Sequence, residues 1–287
     1  IEVPEEYGGL GISGDTLLAM YEEMAKADAG FAVTLSASTL ALKPVLIAGN
    51  EEQKQRCCDI LANGGIGAFG LTEPNAGSDP GAGKTTAVRD GDEYVLNGRK
   101  CFITNAPVAD FYIVTALTDK TKGLKGMSAF LIYKDTPGLS TTNHENKMGI
   151  RTSITSDVVL EDVRIPAEQR LGEEGTGFAT AMKTLDLARM FVGCLAVGIA
   201  QRALDEGIAY TKTRQQFGRP VAKNQALQFK MADMAIQIEA ARQVVSHAHT
   251  LADLGKPYGK EAAMAKCHAG DVAVQVALEG IQLFGGY

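Results

Sequence analysis

The hydrophobic pattern predicts an α+β protein with an N-terminal helical region, a middle antiparallel β domain and a C-terminal helical bundle. Three observations carry that reading. Apolar residues recur at helical spacing through the first 65 residues, the period drops to alternation from Ile66, and helical spacing returns from Gly175. The divisions fall at 1–65 (part of an N-terminal helical domain), 66–172 (a barrel-like β domain) and 173–287 (part of a C-terminal four-helix bundle).

In chain order, the glycine-rich PEEYGGLG from Pro4 to Gly11 reads as a turn. Asp15 to Ala27 sets Leu17, Leu18, Tyr21, Met24 and Ala25 at helical intervals, and Gly30 is expected to break that helix. Phe31 to Gly49 is a second, more apolar helical run. It is expected to bend or break at Pro44, because proline has no N–H to give and crowds the preceding turn. Asn50 and Gln53 have the spacing of a capping box and start a third helix that ends near Asn63 and Gly64. Beyond Ile66, TTAVR, EYVLNG, DFYIVTA, MSAFLIY and SDVVLEDVRIP alternate as strands, with Asp90-Gly91 as a hairpin signal and no βαβ rhythm. Phe178 to about Thr213, Gln225 to about Leu254 and Lys260 to about Leu283 are long amphipathic helices divided by FGRPVAKN and GKPYG. Helices of that kind need one another to bury their apolar stripes.

Composition narrows the function classes. The 287 residues can bury a large core, and 45% hydrophobic with 22% charged residues is the balance of a soluble globular protein. A net charge of -6 with no basic run argues against nucleic-acid binding, because tracking phosphates needs a basic excess. Unbroken apolar runs such as Phe191 to Ala200 fall short of the roughly 20 residues that cross a bilayer. Five cysteines, including adjacent Cys57 and Cys58, lack disulfide-framework or CxxC spacing, which fits a reducing compartment. His247 and His249 are two apart on a helix and point to different faces, so no metal site is expected there.

The densest chemistry lies between Phe69 and Asn105, where FGLTEPNAGSD is followed by a Gly/Thr-rich patch and YVLNGRKCFITN. Thr72, Ser78 and Thr104 offer hydroxyls, Gly77 lets backbone approach a ligand closely, and Phe69 and Phe102 supply flat apolar faces. Those parts suit a large planar ring with a phosphate tail, although a Pro/Gly-rich loop between strands is the bland alternative. Gly83-Lys84-Thr85 resembles the end of a phosphate-binding P-loop, but position 78 is Ser78 where that motif needs glycine, and the flanking TTAVRDGDEYVLNG is a hairpin rather than a helix. The GxGxxG dinucleotide fingerprint is absent.

LTEPNAGSD followed by FITN resembles the flavin-binding signature of the acyl-CoA dehydrogenase family, and the likeness runs from PEEYGGLG to QLFGGY at Gln282 to Tyr287. The resemblance implies FAD as cofactor, with Phe69, Leu71, Thr72, Phe102, Ile103 and Thr104 at the flavin ring and Gly77 and Ser78 at the pyrophosphate. Phe102 stands where many members carry tryptophan. Arg214, Phe217 and Gln225, with Gln282, Gly285 and Gly286, match positions that grip FAD across a subunit interface, which implies a homotetramer. Asp186 and Arg189, three apart on a helix, match a DxxR pattern that contacts the CoA thioester together with Ser78; the bland reading is a solvated ion pair.

The reaction implied is α,β-dehydrogenation of an acyl-CoA, most similar to the short-chain, butyryl-CoA type, with electrons passing to an electron-transferring flavoprotein. An acyl-CoA oxidase or a non-catalytic flavin-binding module is the alternative. No catalytic residue is identified in the chain itself: Ala188 occupies the position where a minority of members carry the base, and Glu173, Glu174 and Glu279 match no family position. The usual glutamate is expected beyond Tyr287, the chain reading as a fragment that lacks both termini. The expected compartment is bacterial cytoplasm or mitochondrial matrix.

Overall fold

The structure, a computed structural model, describes residues 2–287. Helix α1 spans Gly14–Ala27, α2 Ala29–Ala48 and α3 Glu51–Ala62. The strands are β1 Gly67–Gly70, β2 Thr86–Asp90, β3 Glu93–Thr104, β4 Phe111–Leu117, β5 Met127–Tyr133, β6 Leu139–Thr141, β7 Thr155–Pro166 and β8 Arg170–Leu171. Helix α4 (Gly177–Thr213) is followed by a ribbon of β9 (Gln215–Gln216) and β10 (Arg219–Pro220), then α5 (Gln225–Asp253) and α6 (Gly259–Phe284). The described residues pack as two compact units, one of residues 2–12 and 33–185, the other of residues 13–32 and 186–287.

Three local expectations are corrected. The first helix stops at Asp28, not Gly30: the Asp28 carboxylate accepts from Gly30 N at 2.7 Å and Phe31 N at 3.1 Å, so it caps the start of α2, and Gly30 lies inside that helix. Pro44 sits inside α2 without ending it, since this apolar helix has tertiary burial at Ala41, Leu42 and Val45 to offset the lost hydrogen bond. By length and composition α2 and α4 are also apolar enough to cross a membrane, despite the short unbroken runs; 44% and 50% of their apolar windows are buried. The capping box of α3 forms as expected, Asn50 accepting from Gln53 N and Gln53 from Asn50 N.

In the first unit the strands form an eight-stranded sheet in the order β6-β7-β3-β2-β4-β5-β8, with β1 added against β4. Pairing is antiparallel except where β1 and β2 meet β4, whose other neighbour β5 is antiparallel. There β1 runs parallel in the register Gly67↔Phe111 to Gly70↔Val114, and β2 touches in parallel at Thr86↔Leu117, so the antiparallel domain also carries a short parallel seam. The β2–β3 hairpin turns at Gly91–Asp92, and Gly91 takes the left-handed φ of +62° that glycine allows. One face of β4 and β5 (Phe111, Ile113, Ala129, Leu131) packs with Leu42, Val45, Cys57 and Cys58 of α2 and α3. The other face (Tyr112, Val114, Phe130, Ile132) joins Tyr94, Leu96, Val158 and Leu160 inside the sheet. Strands covered on both sides are buried throughout, which gives a rigid frame at the base of β1 and β3.

In the second unit α5 and α6 pack together along their lengths, and α1 is held by Arg242 of α5. That guanidinium donates to Glu22 at 2.8 Å and to Gln201 at 3.0 Å, and pairs with Glu239. Beside it Phe191 meets the rings of Tyr21 and His249 at centroid distances of 5.2 and 5.9 Å. The five cysteines are free, four of them buried, and burial pushes the Cys57 thiol up to about 12.

Candidate functional site

The two halves of the sequence signature meet at the ends of β1 and β3. β1 delivers Phe69 and the following Leu71 and Thr72, and β3 delivers Phe102, Ile103 and Thr104. They are tied by a hydrogen bond from Cys101 N to the Thr72 carbonyl at 2.8 Å. Leu71 and Ile103 are buried, and Phe69 is partly buried against the helical core. Phe102 is the opposite: its ring is 67% exposed and its backbone sits at φ +59°. A bulky residue in left-handed conformation is strained by order 1–3 kcal/mol, and such strain is retained where the surroundings enforce it.

Asp157 on β7 enforces it. Its carboxylate accepts from Phe102 N at 3.2 Å, from Arg99 Nε at 2.6 Å and from the Cys101 thiol at 3.5 Å. Burial works to raise the Asp157 pKa, but the Arg99 and backbone bonds outweigh it and hold the carboxyl below its usual range. Next in chain, Asn105 is fully buried at φ +68°, a conformation that asparagine tolerates better than most residues. Its Nδ2 donates to the Thr34 carbonyl at 2.9 Å and Ser38 Oγ at 3.1 Å, fixing the chain just after Thr104.

Beneath the β1 end lies a buried ion pair. Lys100, 1% exposed, donates to Glu73 Oε1 at 2.6 Å, to the Leu71 carbonyl at 3.2 Å and to Thr115 Oγ1 at 3.3 Å. Burial pulls the lysine below its usual range against the pull of Glu73. Burial also opposes ionisation of Glu73, yet Lys100 and the backbone donors keep that carboxyl below its ordinary value. Gly77 and Ser78 lie exposed in the loop that follows, and an added Cβ at Gly77 would meet nothing within 4 Å. Lys84 and Thr85 give their backbone N–H groups to Glu73 and lead into a strand, so the P-loop look-alike has no phosphate-facing geometry.

The remaining expected residues lie in the second unit. Asp186 and Arg189 of α4 pair with each other across one turn. An added Cβ at Gly259, in the first turn of α6, would lie 3.4 Å from Asp186 Oδ2, and burial together with the Asp186 charge raises the neighbouring Tyr258 hydroxyl. Phe217 forms the tip of the β9–β10 ribbon, 97% exposed, with Phe217 and Gly218 both at left-handed φ. Arg214 stands 5.5 Å from the ring of Tyr287, and Tyr210 stacks on Phe284 at 4.4 Å, so the ribbon and the Gln282–Gly286 stretch come together. Gln225 opens α5 and is exposed. Glu174 accepts from Tyr94 OH at 2.5 Å and Glu279 pairs with Lys230, so both carboxylates are engaged in structural contacts.

Three family models cover nearly the whole chain: acyl-CoA dehydrogenase N-terminal domain over residues 1–65, middle domain over 68–163 and C-terminal domain over 175–287. The chain belongs to the acyl-CoA dehydrogenase family. Among relatives, the short-chain-specific acyl-CoA dehydrogenases of Megasphaera elsdenii and Clostridium acetobutylicum are each 49% identical. The alignments take in 99% and 100% of this chain and 76% of either relative. Among solved structures, butyryl-CoA dehydrogenase from Megasphaera elsdenii matches at TM-score 0.96 and 48% identity, over 99% of this chain and 76% of that one. A structure described as the electron transferring flavoprotein of Acidaminococcus fermentans matches at TM-score 0.98 and 51% identity, over 100% and 76%. A glutaryl-CoA dehydrogenase from Mycobacterium smegmatis in complex with FADH2 matches at 0.91 and 33%, over 98% and 72%.

The site of this acyl-CoA dehydrogenase fits a flavin. An exposed aromatic face held in a strained backbone, hydroxyls at Thr72 and Thr104, and open space at Gly77 are the surfaces that a planar ring and a phosphate tail require. Replacing Phe102 separates strain from binding. Phe102→Gly is expected to raise the stability of the flavin-free protein by about 1 kcal/mol, because glycine is at ease at positive φ, while weakening FAD binding. Thermal unfolding of stripped protein, with and without added FAD, checks both halves.

Acid should act on the same groups. Glu73 and Asp157 have folded pKa values below their ordinary values of 4.5 and 3.8, so each adds stability that is present above those values and lost as pH falls through the folded one. The urea midpoint is expected to be flat down to about pH 5 and to fall steadily below it.

Proposed function

We propose that the protein is an FAD-dependent acyl-CoA dehydrogenase that converts a short-chain acyl-CoA thioester to the trans-2-enoyl-CoA, with an electron-transferring flavoprotein as acceptor. The observation that carries the reading is the meeting of Thr72 and Phe102–Thr104 at the joined ends of β1 and β3, in a chain 49% identical to short-chain-specific family members. Leu71, Thr72, Phe102, Ile103 and Thr104 are assigned to the flavin ring, with Phe69 packing behind them, and Gly77 and Ser78 to the pyrophosphate. FAD supplies, when bound, the acceptor for the substrate's β hydride. The chain's own residues place and shield: Phe102 covers an apolar face, the chain just after Thr104 is held by the Asn105 anchor, Ser78 is assigned to the CoA arm, and the Asp186–Arg189 pair is assigned separately to the substrate thioester. Asp186 is committed to Arg189 and Glu73 to Lys100, so neither is assigned the α-proton, and Ala188 has no group to take it.

Arg214, Phe217, Gln225, Gln282, Gly285 and Gly286 form an exposed group that we assign to the cofactor of a neighbouring copy in a homotetramer. Support comes from the outward apolar residues Phe229 and Ile236 of α5 and Leu278 and Ile281 of α6, and from a cavity of about 450 Å³ between those helices. The bacterial relatives favour bacterial cytoplasm over mitochondrial matrix.

The test is an absorbance spectrum of the purified full-length protein before and after butyryl-CoA under anaerobic conditions. A bound-flavin spectrum that bleaches is the expected result. Bound flavin that butyryl-CoA and longer or branched thioesters all leave oxidised would reduce the protein to a flavin-binding module, and absence of flavin would overturn the reading of β1 and β3.

A further inference from the structure

The loop that carries Gly77 and Ser78 begins and ends on one carboxylate. Glu73 stands at its start, closed on Ala76 by a pair of backbone bonds of 3.2 and 3.0 Å. The Glu73 side chain reaches across to the loop's far end, where Lys84 N donates to Oε2 at 2.6 Å and Thr85 N to Oε1 at 3.1 Å. Lys100, rooted in β3 one residue before Cys101, neutralises the carboxylate from below and also holds the Leu71 carbonyl. Two glycines make room for this. An added Cβ at Gly83 would come within 3.0 Å of Glu73 Oε1, and one at Gly70 within 3.2 Å of Lys100 Cγ.

We propose that Glu73 and Lys100 are positioning residues for the cofactor: a buried clasp that closes the 73–85 loop before FAD arrives, so that Gly77 and Ser78 are already in place for the phosphates. This rests on the assignment of that loop to FAD. A loop otherwise free to open would have to be ordered at the moment of binding, which subtracts from affinity; a clasp built from the loop's own ends removes that loss in advance. A charged carboxylate is suited to the task because its four lone-pair sites can serve two backbone N–H groups and an ammonium at once. The ammonium in turn ties the loop's closure to the strand that bears Phe102 and Thr104, so the ring-facing and phosphate-facing parts are set in one operation. Both side chains are buried, Glu73 at 8% and Lys100 at 1% exposed, so they act through the loop rather than by touching the cofactor.

The experiment uses full-length protein stripped of flavin and titrated with FAD by fluorescence, alongside hydrogen exchange of the stripped protein. Two variants disturb the clasp differently. Glu73→Gln keeps the shape and removes the charge; Gly83→Ala leaves the ion pair intact and presses on Glu73 from the loop side. The dissociation constant for FAD is expected to rise about tenfold in Glu73→Gln and severalfold in Gly83→Ala, with the Lys84 and Thr85 amides exchanging faster while those of β4 and β5 stay protected. Arg164→Met, which removes an exposed ion pair with Asp90 and Glu93, is expected to leave the constant unchanged. If the unaltered protein binds FAD and both clasp variants bind within about twofold of it, the clasp is wrong. If the unaltered protein does not bind FAD, the assignment of the loop itself fails.

Discussion

Lys100→Met is expected to lose about 3–5 kcal/mol of folding stability, read from urea unfolding at neutral pH, because methionine fills the space of the lysine stem but leaves the Glu73 carboxylate buried without its counter-charge. The side chains are 1% and 8% exposed, so water cannot take over the lost role without opening the loop. The double variant Lys100→Met/Glu73→Gln should recover most of that loss, since two neutral groups of similar shape carry no uncompensated charge. Recovery would identify the effect as electrostatic. A double variant as unstable as the single one would mean that packing of the lysine stem beside Gly70 is what matters.

Asp157→Ala should be the next most damaging change near the site, by about 2–3 kcal/mol, with weaker FAD binding as well. Asp157 is 4% exposed and serves three donors at once, and its removal leaves Phe102 N–H without an acceptor at a position where the backbone is already strained. The freed backbone is expected to leave the left-handed region and swing the Phe102 ring away. Combining Asp157→Ala with Phe102→Gly tests this, because glycine holds that φ without help. The double variant should lose less stability than the sum of the two single effects, and an additive outcome would separate Asp157 from the Phe102 conformation.

The helices were legible because each announces itself locally. Tyr21 and Leu18 lie on one face of α1, and the Asn50/Gln53 box forms as spelled. Gly30 misled because glycine is a weak helix former, whereas the residue that decided the boundary was Asp28, whose carboxylate satisfies the first donors of the next helix. Pro44 misled for the converse reason: local propensity opposed the helix and burial overrode it. β1 could be seen only as part of a motif, since GAFG has no alternation and its parallel partner lies far along the chain. At the site, the family resemblance supplied residues that face outward, such as Phe102 and Thr104. It did not supply their supports. Asp157 reaches Phe102 across 55 residues and Lys100 reaches Glu73 across 27, and no spacing rule links such pairs before the sheet brings them together. A lysine amid a run of strand residues was the available signal, because lysine in the interior demands a partner.

The parallel seam between β1 and β4 also has a kinetic meaning. The β2–β3 hairpin closes through a two-residue turn and can form in microseconds, whereas β1 can dock only on partners in β4 that lie 44 positions along the chain. The segment that leads into the cofactor loop is therefore expected to join the sheet after that hairpin, together with the still longer-range pairing of β3 with β7. FAD added to a refolding mixture would then meet a binding surface only near the end of the reaction, capturing finished molecules rather than hastening their formation.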